Sequence, residues 1–70
     1  MDLIYVDSSN VDQIGYDEYE GEAHVIFKSG RHYIYSAVTQ EVWQLFQDAP
    51  SKGRFVNEEF RAKGYQFREA

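Results

Sequence analysis

Residues 25–35 read VIFKSGRHYIY, a stretch that predicts two β-strands joined by a tight turn. Apolar and polar residues roughly alternate on both arms, and Gly30 in the turn can adopt the positive φ that tight hairpins need. Tyr33 and Tyr35 stand two residues apart, so their side chains project from the same face of one strand. The fold is therefore organised around a hairpin with a pair of tyrosines on one face.

The register of this hairpin decides which face carries the tyrosines. A three-residue loop over residues 28–30 places Val25 opposite Tyr33, so that both tyrosines share a face with Val25. A two-residue loop places them on the opposite face, because a slip of one residue inverts every side chain. We favour the three-residue loop, since Gly30 then occupies the left-handed position of a G1-bulge turn.

Length and composition limit the chain to one small domain. The 70 residues include 12 aromatic side chains, which enlarge the core of a chain this short. Cysteine is absent, so the chain has no disulfide or thiolate chemistry and fits a reducing compartment. No apolar run approaches a membrane span, and the start MDLIYVD lacks signal-peptide character. These features favour a cytoplasmic protein that has no membrane partner.

Charge is distributed unevenly along the chain. The net charge is −5, which disfavours indiscriminate binding to polyanions. Residues 1–27 contain seven acidic side chains and no lysine or arginine, whereas residues 28–70 contain all seven cations and five acids. The asymmetry is either an ordinary solvated surface or the mark of a domain with one basic face.

The segments before the hairpin predict one strand and a turn. Residues 1–7 form either a short edge strand or a loosely held arm. Ser9 and Asp12 resemble a capping box, which suggests one helical turn over residues 10–13. A strand then runs from Ile14 to about Tyr19, and Gly15 within it indicates a bulge or a close packing approach.

After the hairpin the apolar period changes from two to 3.6. Thr39 is a suitable N-cap for a helix from Gln40 to Asp48, and Pro50 ends it. A second helix starts within residues 51–54, and Gly64 marks its end. Residues 65–67 can return to the sheet. We expect the tyrosine face to be covered by the apolar helix residues Val42, Leu45, Phe46, Phe55 and Phe60, with Trp43 half exposed.

The predicted architecture is α+β. A three-stranded antiparallel β-meander is followed by two α-helices that pack on one face of the sheet. Residues 1–70 form a single domain with a core of about residues 6–67.

Three ordered motifs resemble one known family. They are VDSSNVDQIGYD at residues 6–17, VIFKSGRHYIY at residues 25–35 and APSKGRFVN at residues 49–57. Together they are similar to the KTSC domain, which occurs at the C-terminus of some lysyl-tRNA synthetases and as a free-standing bacterial or phage protein. The central marker of that family is a Tyr-x-Tyr pair, matched by Tyr33 and Tyr35. The family has no assigned function, and its synthetase context associates it with RNA.

The candidate binding site centres on the start of the second helix. Backbone N–H groups and the positive dipole end of a helix N-terminus suit a phosphate or carboxylate. Here Gly53 permits close approach, and Lys52 and Arg54 supply charge. The alternative is a capped turn with solvated cations. The full predicted ligand set is Ser51, Lys52, Gly53, Arg54, Arg31, Arg61, Tyr33 and Tyr35, in which the tyrosines are either a base-stacking platform or core residues with hydroxyls at the rim.

The other polar residues give weaker signals of a functional site. His24 and His32 fall near each other on the outer sheet face in the favoured register, but two histidines without a third ligand are a weak metal signal. We expect no metal, no cofactor and no catalytic residues.

Two functions stay open. The first is a non-catalytic domain that binds RNA or another nucleic acid. The second is a protein-interaction or homodimerisation module that uses Trp43, the outer sheet face or a strand edge.

Overall fold

A five-stranded antiparallel sheet and two consecutive helices make up the computed structural model, which describes all residues 1–70. The strands are β1 (Leu3–Tyr5), β2 (Val11–Asp17), β3 (Glu22–Phe27), β4 (His32–Tyr35) and β5 (Phe67–Glu69), and they pair in sequence order. The helices α1 (Gln40–Asp48) and α2 (Lys52–Phe55) lie between β4 and β5, and α2 continues into a π-helix (Val56–Arg61). None of the helices combines the length and apolarity needed to cross a bilayer.

The sheet has two more strands than the three-stranded meander predicted from the sequence. The α+β class is confirmed, but the strand count is wrong. β1 pairs with β2 through Ile4 and Ile14, and β5 pairs with β4 through Phe67 and Tyr35. All six residues of these two edge strands are exposed. Because neither strand buries one face, neither shows the apolar alternation that reveals a strand in a sequence.

The central hairpin has the predicted three-residue loop. Val25 lies opposite Tyr33 and Ala23 opposite Tyr35, and the Phe27 N–H donates to the carbonyl of Arg31 at 2.8 Å. Gly30 has a φ of 95°, the conformation expected of it in this turn. Both tyrosines therefore lie on the face of the sheet that the helices cover.

The helical turn predicted over residues 10–13 is wrong, because β2 already begins at Val11. The Ser8 hydroxyl accepts hydrogen bonds from the N–H groups of Asn10 and Val11, so Ser8 caps a bend into the strand. The bulge lies between Val11 and Gln13. Gly15 is instead a point of close approach, because a Cβ there would lie 2.8 Å from the Leu3 side chain.

Both helices start at hydroxyl caps. The Thr39 hydroxyl accepts from the Val42 N–H at 3.2 Å, and α1 has the predicted bounds. The Ser51 hydroxyl accepts from the Arg54 N–H at 3.3 Å and starts α2. From Val56 to Arg61 the chain continues as a π-helix, in which each hydrogen bond spans five residues, and Gly64 with a φ of 74° follows.

The core forms where the helices meet the tyrosine face. Val11, Ile14, Val25, Phe46 and Phe60 are fully buried. Leu45 is 60% exposed, so its predicted place in the core is wrong. Trp43 is half-buried and stacks on Tyr16 with ring centroids 5.3 Å apart. The short α1 turns Trp43 and Phe46 towards the sheet, and Leu45 therefore points away from it.

We predict that the neighbouring substitutions Phe46→Ala and Leu45→Ala have very different effects on stability. Removing the Phe46 ring leaves a cavity and should lower the free energy of unfolding by about 3–5 kcal/mol, enough to unfold much of a small domain. Leu45→Ala should change it by less than about 0.5 kcal/mol. Urea titration followed by circular dichroism measures both values. Equal losses for the two variants would contradict the observed helix orientation.

Candidate functional site

A cavity of about 390 Å³ opens between the tyrosine face of the sheet and the second helix, and we call it the Tyr–Arg cavity. Its floor comes from β3, β4 and β5, and its wall from residues 53–61. The side chains that line it are two arginines, two asparagine amides and mainly aromatic groups, and none is acidic. The lining residues are Asn10, Phe27, Arg31, Tyr33, Tyr35, Gly53, Val56, Asn57, Arg61 and Phe67.

Tyr35 supplies an unused hydrogen-bonding group at the base of the cavity. Only 3% of the residue's surface is exposed, and its ring stacks on Phe60 with centroids 4.6 Å apart. The hydroxyl forms no hydrogen bond with the protein, and no polar side-chain atom of the chain is both fully buried and unpartnered. That hydroxyl therefore faces the cavity. Burial raises its pKa, and the charge of Arg61 opposes this rise, so the group is a neutral donor at physiological pH.

The two arginines hold their guanidinium groups at the cavity wall through weak contacts. Arg31 donates to the Tyr33 hydroxyl at 3.3 Å and lies 3.5 Å from the Glu69 carboxylate. Arg61 donates to the Asn57 side-chain oxygen at 3.3 Å and has no acidic partner. Both side chains are solvent-exposed, so either can turn towards an anion at little cost.

Gly53 shapes the cavity by the absence of a side chain. A Cβ at this position would lie 2.5 Å from the side-chain oxygen of Asn10. The end of the Asn10 side chain can lie this close to the helix because residue 53 is glycine. The Asn10 amide thereby forms part of the cavity wall.

The positive surface continues beyond the cavity. A second depression of about 400 Å³ shares Asn10, Phe27, Arg31, Tyr33 and Arg61 with it and adds the hairpin loop with Lys28. Neither depression is lined by a carboxylate. The lining side chains thus concentrate three cations along one continuous groove in a chain of net charge −5.

The structure brings together five of the eight residues predicted for the site and gives the other three different partners. Gly53, Arg31, Arg61, Tyr33 and Tyr35 line the Tyr–Arg cavity. The hydroxyl of Ser51 caps α2. Lys52 donates from Nζ to the carbonyls of Gln47 and Ala49 at the end of α1, and Arg54 forms an ion pair with Glu58 at 2.9 Å.

Sequence reasoning missed Asn10, Asn57 and Phe67. Asn57 falls within the APSKGRFVN motif, four residues after Gly53, a spacing that places two residues on one side of a helix. This signal was present in the sequence. Phe67 joins the cavity only because β5 pairs with β4, and Asn10 joins it only through its approach to Gly53. No local pattern indicates either contact.

The outer sheet face carries the predicted histidine pair. His24 Nδ1 and His32 Nε2 lie 2.8 Å apart, so one ring donates a hydrogen bond to the other. The nearest charged groups are the Glu22–Arg68 ion pair and Asp17. No group of three or more histidine, cysteine, aspartate or glutamate side chains is placed to hold a metal ion.

These features define a small α+β domain in which all three sequence motifs contribute residues to one cavity. Residues 7–65 match the model of the KTSC domain, and the chain belongs to that family. A crystal structure of a KTSC domain protein from Yersinia pestis superposes with a TM-score of 0.89 at 30% identity, covering 99% of this chain and 96% of the other.

A second relative has a similar length. An uncharacterised protein of Stutzerimonas stutzeri (strain A1501) is 36% identical over 67 residues, which cover 96% of this chain and 94% of that protein. The family resemblance found in the tyrosine pair and the APSKGRFVN motif is therefore confirmed over nearly the whole chain. Neither relative's name assigns an activity or a ligand.

We predict that the histidine pair makes stability depend on pH. Burial, and then the charge of His32, lower the pKa of His24 below its ordinary value. The unfolded chain therefore binds a proton more readily, and stability should fall as pH drops through the ordinary histidine pKa near 6.5. Urea midpoints at about pH 7.5 and pH 5.5 measure this loss. His24→Gln should show a smaller loss, and equal losses in both proteins would rule out this origin.

Proposed function

We propose that the chain is a non-catalytic domain that binds single-stranded nucleic acid, preferably RNA, in the Tyr–Arg cavity. The observation that carries this proposal is the composition of the cavity wall. It combines guanidinium groups, amides, a free phenol and exposed aromatic surface with no carboxylate. A nucleotide needs these same groups, because its phosphate is anionic, its base edges form hydrogen bonds and its base face stacks on aromatic rings.

The aromatic contact for a base is Phe67 rather than the tyrosine pair. The Tyr35 ring is already stacked on Phe60, and Tyr33 is half-buried against Phe27 and Phe67. Phe67 is 59% exposed at the rim of the cavity. If a base stacks on the free face of Phe67, the Tyr35 hydroxyl and the amides of Asn10 and Asn57 are left to form hydrogen bonds with the polar groups of that base. The tyrosines therefore form the floor, and Phe67 offers the stacking surface.

Single strands fit this groove better than a duplex. The cavity volume suits one nucleotide, whose base must be unpaired to enter. The adjoining depression carries Lys28 and would follow the backbone of the next nucleotides. The acidic remainder of the chain repels polyanions elsewhere, so binding should be confined to this groove. The proposal includes a cytoplasmic location, because single-stranded RNA is accessible there. A chain without cysteine also needs no oxidising compartment.

A pair of arginine substitutions tests this proposal. Arg61→Ala and Arg54→Ala remove one positive charge each, but only Arg61 lines the cavity, whereas Arg54 is paired with Glu58. Arg61→Ala should weaken binding of a fluorescein-labelled ten-nucleotide single-stranded RNA by about tenfold and reduce its salt dependence between about 50 and 200 mM. Arg54→Ala should change affinity less than about twofold. Fluorescence anisotropy measures the affinities.

Two further measurements complete the design. Phe67→Ala should weaken binding by about fivefold or more through lost stacking, without a large stability loss at this exposed position. A DNA strand of the same sequence and an RNA duplex test the preference for single-stranded RNA. Equal losses for the two arginine variants, or an affinity that salt leaves unchanged, would refute binding in the cavity.

The second candidate function is self-association through the free edge of β1. Three neighbouring apolar residues are exposed there, with exposures of 38% for Leu3, 40% for Ile4 and 78% for Tyr5. An edge strand has unpaired backbone groups that can pair with a second copy. Light scattering of the free protein separates the two functions. A stable dimer without RNA affinity favours this alternative, and an RNA-binding monomer favours the first proposal.

A further inference from the structure

A second cleft, of about 500 Å³, lies at the other end of the junction between the sheet and the helices, and we call it the Trp43 cleft. It shares no residue with the Tyr–Arg cavity and has the opposite charge. Its lining contains two carboxylates, three glutamine amides, two aromatic rings and no cation. The lining residues are Asp2, Ile4, Tyr16, Glu18, Gln40, Trp43, Gln44 and Gln47.

The carboxylates of the cleft are not neutralised by the protein. All four ion pairs of the chain involve other acids, namely Glu22, Glu58, Glu59 and Glu69. Glu18 accepts only a long hydrogen bond of 3.5 Å from the Gln40 amide, and Asp2 makes none. The cleft therefore presents negative charge to solvent, and a cation that enters it finds unoccupied acceptors.

The aromatic wall of the cleft is rigid. Trp43 stacks on Tyr16 with an interplanar angle of 12°, and Phe46 packs against it in a T-shaped arrangement with centroids 5.9 Å apart. The Tyr16 hydroxyl donates to the Val38 carbonyl at 2.6 Å, which fixes the ring beneath the indole. The indole is partly buried, and its accessible part lines the cleft. An indole that lines a cleft beside carboxylates attracts organic cations through its π electrons.

The amides of the cleft favour a guanidinium over an ammonium group. Gln40 and Gln44 direct their nitrogens to Glu18 and Asp48, which leaves their oxygens free to accept hydrogen bonds. A guanidinium is planar, stacks on an aromatic ring and donates five N–H groups in its plane. An ammonium group is a compact point charge and retains its water more strongly.

We propose that the Trp43 cleft binds an arginine side chain of a partner protein. The guanidinium stacks on Trp43, and Glu18 and Asp2 accept its hydrogen bonds. A partner segment that carries arginine is complementary in charge to this cleft, because the carboxylates of the cleft have no cationic partner within the chain. The site is independent of nucleic-acid binding at the opposite end of the molecule.

The chain carries its own reporter for this site, because Trp43 is its only tryptophan. We predict that the peptide acetyl-Gly-Arg-Gly-Arg-Gly-amide shifts or quenches the Trp43 emission in a saturable manner. The same peptide with lysine should bind about threefold or more weakly, and with the neutral isostere citrulline about tenfold or more weakly. Isothermal calorimetry checks the affinities independently of the fluorophore.

Two glutamate variants locate the binding. Glu18→Gln and Glu20→Gln remove the same charge from one exposed turn, but only Glu18 lines the cleft. Glu18→Gln should weaken the arginine peptide about tenfold, and Glu20→Gln less than about twofold. Arg61→Ala should leave the affinity unchanged. Urea midpoints confirm that these variants are folded.

Three results would overturn the proposal. They are equal losses for Glu18→Gln and Glu20→Gln, equal binding of the citrulline and arginine peptides, and the absence of both heat and a Trp43 response at millimolar peptide. The first result would show attraction by net charge alone. Because Trp43, Glu18 and Glu20 lie outside the Tyr–Arg cavity, each outcome is read without reference to RNA binding.

Discussion

The stack of Tyr35 on Phe60 joins the sheet to the π-helix that continues the second helix, and the Tyr–Arg cavity depends on the geometry that it sets. The two rings are nearly parallel, at 18°, and Phe46 and Phe55 pack against Phe60 in T-shaped arrangements. Large buried aromatic rings compensate for the small core available to 70 residues. Because Tyr35 is held by its ring, its hydroxyl remains free for another role.

The helices cover the middle of the sheet and leave an opening at each end. Towards β4 and β5 the opening is lined by arginines and amides, and towards β1 and β2 it is lined by carboxylates and glutamines. The uneven charge along the sequence thereby becomes a separation of charge in space. Of the two readings of the charge pattern, a domain with one basic surface agrees better with the linings of these openings.

Much of the fold was predictable because local rules and tertiary packing agree. Gly30 sets the hairpin register, and Thr39 and Pro50 bound α1. The edge strands β1 and β5 appear in the sequence only as alternatives outside the predicted meander, because pairing alone fixes them and every residue in them is exposed. Leu45 was misplaced because Leu45 and Trp43 both have a spacing that fits the apolar stripe of the helix. Only the stack of Trp43 on Tyr16 shows which of the two faces the sheet.

The site was predictable in part for a related reason. Tyr33, Tyr35 and Gly53 belong to motifs with recognisable spacing, and they meet in the cavity. The cations of residues 51–54 attracted a functional interpretation, yet Lys52 closes the end of α1 and Arg54 pairs with Glu58. A sequence shows which side chains carry charge, but it does not show which charges the fold already uses.

NMR mapping of RNA binding on the ¹⁵N-labelled protein tests most directly whether the Tyr–Arg cavity is the binding site. Addition of a single-stranded RNA should shift the amide signals of Tyr35, Gly53, Asn57 and Arg61 together, and should leave the Trp43 indole signal in place. Shifts confined to the outer sheet face or to the Trp43 cleft, with the signals of the Tyr–Arg cavity unchanged, would contradict this assignment.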